Sequence, residues 1–186
     1  QTVEKYFLAR QFPFDSINMD VIAGLPEDTS ARFAQTIDQI TALAPENVTV
    51  HTLSVKRSSS FNMQGVELYR RQIDEVAQMV DYAQQKLTGS GYLPYYLYRQ
   101  RNTLANLENT GFARPGKEGL YNIYIMDVTH TILSVGGGGV TKLKCCAKDR
   151  IERIFNFKYP YEYISRFDEI LKRKQKVVDF FAENGY

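Results

Sequence analysis

The chain has 186 residues, 44% apolar and 24% charged, with a formal net charge of +2. That is the balance of an ordinary folded protein, long enough to bury roughly 70% of its unfolded surface as one large domain or two small ones. So small a charge gives no case for nucleic acid, and no apolar run reaches the ~20 residues of a membrane span. There is no basic-then-apolar leader at the start. Cys145 and Cys146 are the only cysteines, and they are adjacent. They suit neither a secreted disulfide framework nor a metal or cluster spacing, which points to a reducing cytoplasm.

Val3–Phe12 has a helical face with Phe7 and Leu8 turned inward. The chain opens at Gln1, without a methionine and already near a helix, so a piece of a longer protein is expected. Ile17–Ala23 reads as a buried strand that stops at Gly24-Leu25-Pro26. Asp28 or Thr29 can cap the next helix by accepting from its free N–H groups. Phe33, Ile37, Ile40 and Leu43 recur at helical spacing there, and Pro45 lies just beyond. Val48–Val55 is β-branched and reads as a second strand, so the strand–helix–strand run predicts a parallel pair. Lys56–Asn62 is a serine-rich loop. A long helix over Gln64–Leu87 carries Val66, Tyr69, Ile73, Val76, Val80, Ala83 and Leu87 on one stripe. Gly89-Ser90-Gly91 stops it.

The later half changes character. Tyr92–Tyr98 is an aromatic strand, and Arg99–Asn109 is polar, a short helix or an ordered loop. Ala113-Arg114-Pro115-Gly116 is a turn. Leu120–Met126 alternates apolar and aromatic residues on two faces and reads as a strand. Thr131–Val135, Thr141–Ala147 and Arg150–Phe157 are further strands, interrupted by four glycines at 136–139. Pro160 opens a last helix that buries Ile164, Phe167, Leu171, Val178 and Phe181. The expected organisation is a βαβα piece over 1–90 and a small sheet with a terminal helix over 91–186.

Four constellations could carry chemistry. Asp20 stands in an apolar strand just ahead of its carboxyl end, where ligands of parallel α/β sheets bind. A carboxylate there is costly unless paired, so Asp20 is either a satisfied core acid or a ligand contact. His51 reads first as a structural residue, and with His130 as its only companion no multi-histidine metal site can be built. The glycines Gly136-Gly137-Gly138-Gly139 form either a flexible hairpin or a close backbone approach to a ligand. Val140-Thr141-Lys142 lacks the order of a phosphate-binding loop. Tyr95-Tyr96-Leu97-Tyr98-Arg99-Gln100-Arg101 sets rings beside two guanidiniums, which suits a flat polycarboxylate or a solvated strand end. The basic face of the last helix, with Arg166, Lys172, Arg173, Lys174 and Lys176, is most simply solvated.

Ile17–Pro26 and Ala44–Val50 resemble the later half of the radical S-adenosylmethionine barrel in oxygen-independent coproporphyrinogen III oxidases. Gly91-Tyr92-Leu93-Pro94-Tyr95-Tyr96-Leu97-Tyr98-Arg99-Gln100 resembles the coproporphyrinogen dehydrogenase branch, as does Asn106–Asn122. The resemblance covers nearly the whole chain. It implies an α/β fold, the later part of a partial (β/α) barrel over 1–90 followed by a small α+β C-terminal domain over 91–186. It also implies a 4Fe-4S cluster, S-adenosylmethionine, a porphyrinogen substrate, an electron donor protein and a cytoplasmic role in haem biosynthesis. The reaction it implies is oxidative decarboxylation of propionates to vinyls. Asp20 matches the family's acid before Gly-Leu-Pro, Ser54 a small residue at the next strand's end, and Val140 the apolar residue after the glycines. All three are implied S-adenosylmethionine contacts. Arg99 and Arg101 are inferred as propionate contacts.

The family's Cys-x-x-x-Cys-x-x-Cys motif is missing from this chain. The expectation is therefore a fragment without cluster or turnover. The rivals are a haem-carrying relative of the same family and a stand-alone interaction domain. Without an earlier strand, the first strand has an open edge, and an edge-to-edge dimer is expected.

Overall fold

The computed structural model describes residues 1–54, 73–99, 107–145 and 150–184. They form two compact units, Gln1–Leu120 and Tyr121–Tyr186.

The first unit contains α1 (Thr2–Ala9), β1 (Asn18–Ala23), α2 (Ser30–Leu43), β2 (Asn47–Thr52), α3 (Ile73–Gly89), β3 (Leu93–Tyr98) and β4 (Asn109–Ala113). The strands form one sheet in the order β1-β2-β4-β3. The expected parallel pair is present: β1 runs beside β2, with Asp20 opposite Thr49. β4 is antiparallel to both β2 and β3, so β3 runs in the direction of β2 with β4 set between them. The sheet thus continues through 89–91, where the sequence changes character.

Thr29 caps α2, its hydroxyl accepting from Arg32 N at 3.3 Å. Phe33, Ile37 and Ile40 of α2 and Val76, Met79, Ala83 and Leu87 of α3 pack on Val21, Ala23, Val48, Val50 and Phe112 of the sheet. The expected positions Val66 and Tyr69 lie outside the described residues, and Ile73 is exposed.

In α1 the expectation for Phe7 and Leu8 fails: they are 56% and 45% exposed, and Tyr6 is the buried residue. The helix is held by a polar anchor rather than by an apolar stripe. The Tyr6 hydroxyl donates to Leu43 O at 2.8 Å and accepts from Arg10 Nε and Nη2. Arg10 also pairs with Glu46 at 2.8 Å, and Glu46 accepts from Ile17 N.

The second unit contains α4 (Leu120–Asp127, which starts at the junction), β5 (Val140–Cys145), β6 (Arg150–Phe155), α5 (Pro160–Ser165) and α6 (Phe167–Glu183). β5 and β6 pair antiparallel. Leu120–Met126, expected as a strand, is helical instead. A segment apolar on two alternating faces is equally apolar all round a helix, so periodicity could not separate the two. Thr131–Val135 is not a strand but runs beside β5 through a single bridge, Ile132 to Lys142.

The last helix is divided at Arg166 into α5 and α6, and the face that α6 buries is not the expected one. Ile164, Phe167, Leu171 and Val178, expected inside, are exposed, Ile164 by 75%. Ile170 and Phe180 are buried instead, and Phe180, Val177 and Phe181 pack with Leu143, Cys145 and Ile154.

Candidate functional site

Side chains alternate across a strand, so register assigns each sheet residue to a face. Val21, Val50 and Phe112 face α2 and α3. Asn18, Asp20, Ile22, Thr49, His51, Gly111, Tyr96 and Tyr98 share the opposite face. Asp20 is therefore not a core acid: its side chain is 59% exposed. Among the described residues β1 is an edge strand with one face covered, and Ile22 on the other face hides the alternation in the sequence.

Asp20 sits in a hydrogen-bonded row. Asn18 Nδ2 donates to Asp20 Oδ1 at 2.7 Å. Thr49 Oγ1 donates to Asn18 Oδ1 at 3.1 Å and lies 3.4 Å from the Tyr96 hydroxyl. His51 Nε2 lies 3.6 Å from Asp20 Oδ2 and forms an ion pair when protonated. His51 first, and Asn18 after it, hold the Asp20 carboxyl below its ordinary range against an opposing desolvation. The result is a carboxylate that stays ionised at neutral pH with part of its surface open. Such a group suits an amine, a hydroxyl or a cation. A cavity of about 360 Å³ opens along β1 beside it, lined by Val3 of α1, Met19, Asp20 and Ile22 of β1, and Phe33 and Ile40 of α2.

Ser54 lies just past the carboxyl end of β2, where Leu53 N still donates to Ala23 O at 3.0 Å, so it stands beside the end of β1 and its Gly24 turn. It is half-buried and has an interaction of its own. Gly24 has φ 84°, a conformation that glycine adopts without strain, and the turn it makes leads into the Thr29 cap. Asp20 and Ser54 thus come from neighbouring parallel strands. Val140 opens β5 in the second unit and is half-buried.

The glycine run before Val140 closes on its own chain. Asn156 Nδ2 donates to Gly136 O at 2.8 Å, and Asn156 N to Gly139 O at 2.9 Å. A Cβ on Gly139 would stand 2.5 Å from Ser134 Oγ. Lys174 Nζ ties the same turn by donating to Ser134 O and Thr141 Oγ1 at 2.7 and 2.6 Å. Internal packing therefore accounts for Gly139. Arg99 is exposed and paired with Glu108 at 2.9 Å. Arg101 lies outside the described residues.

Sequence reasoning missed Asn18, Thr49 and Gly111 altogether and noted Tyr96 only as a ring. Counting by twos from Asp20 would have found Asn18, but pairing Thr49 and Gly111 with it needs the register.

Taken together, the fold and site define a mixed α/β protein whose sheet covers its core with two helices and presents one carboxylate in a hydrogen-bonded row on the other face. This chain is homologous to the oxygen-independent coproporphyrinogen III oxidases. It is 40% identical over 183 residues to the oxygen-independent coproporphyrinogen-III oxidase-like protein HemZ of Bacillus subtilis, across 98% of this chain and 36% of that protein. A 42-residue stretch is 45% identical to the oxygen-independent coproporphyrinogen III oxidase of Pseudomonas aeruginosa, across 23% of this chain and 9% of that one. In fold the chain is similar to the coproporphyrinogen III oxidase of Escherichia coli, described as a radical SAM enzyme. That match has a TM-score of 0.59 at 20% identity, over 90% of this chain and 37% of that one. The chain thus spans about a third of the length of HemZ. No protein-family model matches it.

An iron–sulfur cluster does not fit the residues present. Such clusters take thiolate ligands in numbers that two adjacent cysteines cannot supply. Cys145 is buried with its thiol on Asn184 Oδ1 at 3.1 Å, and Cys146 lies outside the described residues. Among the described residues, no group of three or more His, Cys, Asp or Glu could hold a metal ion, and no helix is long and apolar enough to cross a membrane.

Proposed function

We propose that this chain is the later part of an oxygen-independent coproporphyrinogen oxidase-type radical enzyme, and that Asp20 helps to hold S-adenosylmethionine. The 40% identity to HemZ across 98% of the chain carries this reading. The ionised, open carboxylate on the sheet face supports the residue role, because the ligand brings an ammonium, a sulfonium and ribose hydroxyls. S-adenosylmethionine, when bound, would supply the radical chemistry of that class of enzyme, and this chain's part would be to hold and orient it. The ligands for a cluster are not in this chain.

The chain's own residues would bind and orient. Asn18 and His51 keep Asp20 ionised and aimed, and Ser54 lines the neighbouring strand end. For a substrate propionate, Arg99 must exchange Glu108 for the substrate. The chain alone is inactive on porphyrinogen.

Titration calorimetry with S-adenosylhomocysteine tests the cofactor role: the wild-type chain binds and Asp20→Asn does not. Equal binding by both removes Asp20 from the site. A haem titration tests the family role. Tight stoichiometric haem binding by the chain would overturn the oxidase reading in favour of a haem-carrying relative.

A further inference from the structure

Asp20, Thr49, Gly111 and Tyr96 stand directly opposite one another across all four strands of the sheet. The row spans the sheet because one of its members has no side chain. A Cβ built on Gly111 would overlap the Tyr96 ring at Cε1, Cδ1 and Cζ. Tyr96 therefore lies across β4 in the space that a side chain at 111 would fill, and its hydroxyl arrives 3.4 Å from Thr49 Oγ1 on β2.

The hydrogens in this row have one direction. Thr49 has a single hydroxyl proton and gives it to Asn18 Oδ1. The bond between Thr49 and Tyr96 then takes its proton from Tyr96. Burial, as the largest influence, holds the Tyr96 phenol above its ordinary range, so it stays protonated and able to donate. The chain runs Tyr96 to Thr49 to Asn18, and Asn18 donates in turn to Asp20. Each link polarises the next. The acceptors the row does not itself use are those of the Asp20 carboxylate, 59% exposed, and the remaining lone pair of the half-buried Tyr96 oxygen.

We propose that the Tyr96 hydroxyl, admitted across β4 by Gly111, is a second ligand contact of the Asp20 site and accepts a hydrogen bond from a ligand group that Asp20 also binds. This rests on the reading of Asp20 as a contact to S-adenosylmethionine and adds to it a specificity residue. The group bridging the two acceptors must carry donors, so it is either the α-ammonium or the ribose hydroxyls.

Calorimetry on the 186-residue chain tests this with S-adenosylhomocysteine and with 5′-methylthioadenosine, which lacks the amino-acid end. Tyr96→Phe keeps the ring over Gly111 and removes only the hydroxyl. It should weaken S-adenosylhomocysteine about fivefold if the donor is a ribose hydroxyl, the worth of one neutral hydrogen bond, and more than about tenfold if it is the ammonium. Gly111→Ala pushes the ring away and should weaken it at least as much. The double variant should be no worse than Gly111→Ala alone, because both changes remove the same contact. A loss seen also with 5′-methylthioadenosine assigns the contact to the ribose, and one confined to S-adenosylhomocysteine assigns it to the ammonium. Either supports the proposal. If Tyr96→Phe binds like wild type while Asp20→Asn has lost binding, the Tyr96 contact is wrong and the Asp20 reading survives. If the wild-type chain binds neither ligand, both fall. Gly111→Ala could fail for want of folding, so thermal melting accompanies it, and Tyr96→Phe decides.

Discussion

The Asp20 carboxylate lies 3.6 Å from His51 Nε2, each residue on its own strand of the parallel pair β1–β2. With Asn18 as a second partner, His51 lowers the Asp20 pKa from its ordinary 3.8, against desolvation. A carboxyl lowered by folding stabilises the folded state above its unfolded pKa and stops doing so as pH falls through the folded one. Wild-type stability should therefore decline below about pH 5 more steeply than that of Asp20→Asn. Parallel urea curves for the two across that range would show that the pair does nothing for folding.

Tyr6 should matter more than Phe7 in α1. Its hydroxyl joins Leu43 O to the Arg10 guanidinium, and it is the buried residue of that helix. Tyr6→Phe should cost about 1–2 kcal/mol by leaving a carbonyl and two N–H donors without that partner. Phe7→Ala should cost less than about 0.5 kcal/mol, as at an ordinary exposed position. Chemical denaturation of both variants gives the order, and the reverse order would mean that α1 packs through Phe7.

Gly139→Ala should destabilise the second unit by about 1–3 kcal/mol, the usual cost of overpacking. The new methyl would stand 2.5 Å from Ser134 Oγ and 3.0 Å from Val135 O. Ser134→Ala in the same chain should recover part of the loss by removing the nearer atom. Thermal unfolding measures both, and a neutral Gly139→Ala would show that the turn has room.

β1 pairs only with β2, and its other edge carries no strand among the described residues. Ile22 and Leu25 nearby are exposed. We propose that this edge pairs with a second copy of the chain at high concentration. Sedimentation should show concentration-dependent dimers that Ile22→Lys weakens. A monomer at every concentration would refute it.

Much of the first unit is legible from residue order alone. The strand over Ile17–Ala23 and the helix capped at Thr29 follow from local spacing, because capping and apolar repeats act within one turn or one pleat. Homology was equally legible, since motifs such as Tyr95–Gln100 are linear. The failures came where packing chose between equal local options. Leu120–Met126 could be strand or helix by pattern. In α6 the stripe through Leu171 and Val178 faces out, because Ile170, Val177 and Phe180 offer an equally apolar face one residue away.

For the site, the sequence by itself determined that a carboxylate stands in a strand that stops at Gly-Leu-Pro, and which family of proteins the chain resembles. Only the tertiary structure decided that Asp20 faces the open side, and that Asn18, Thr49 and Tyr96 form its row. The physical reason is that a strand's two faces are set by what covers them. Partners across a sheet are set by register between segments as far apart in the chain as Asp20, Thr49, Gly111 and Tyr96. Gly111 shows the difference most plainly: in the chain it is one glycine among 12, and in the fold it is the gap that lets Tyr96 reach the site.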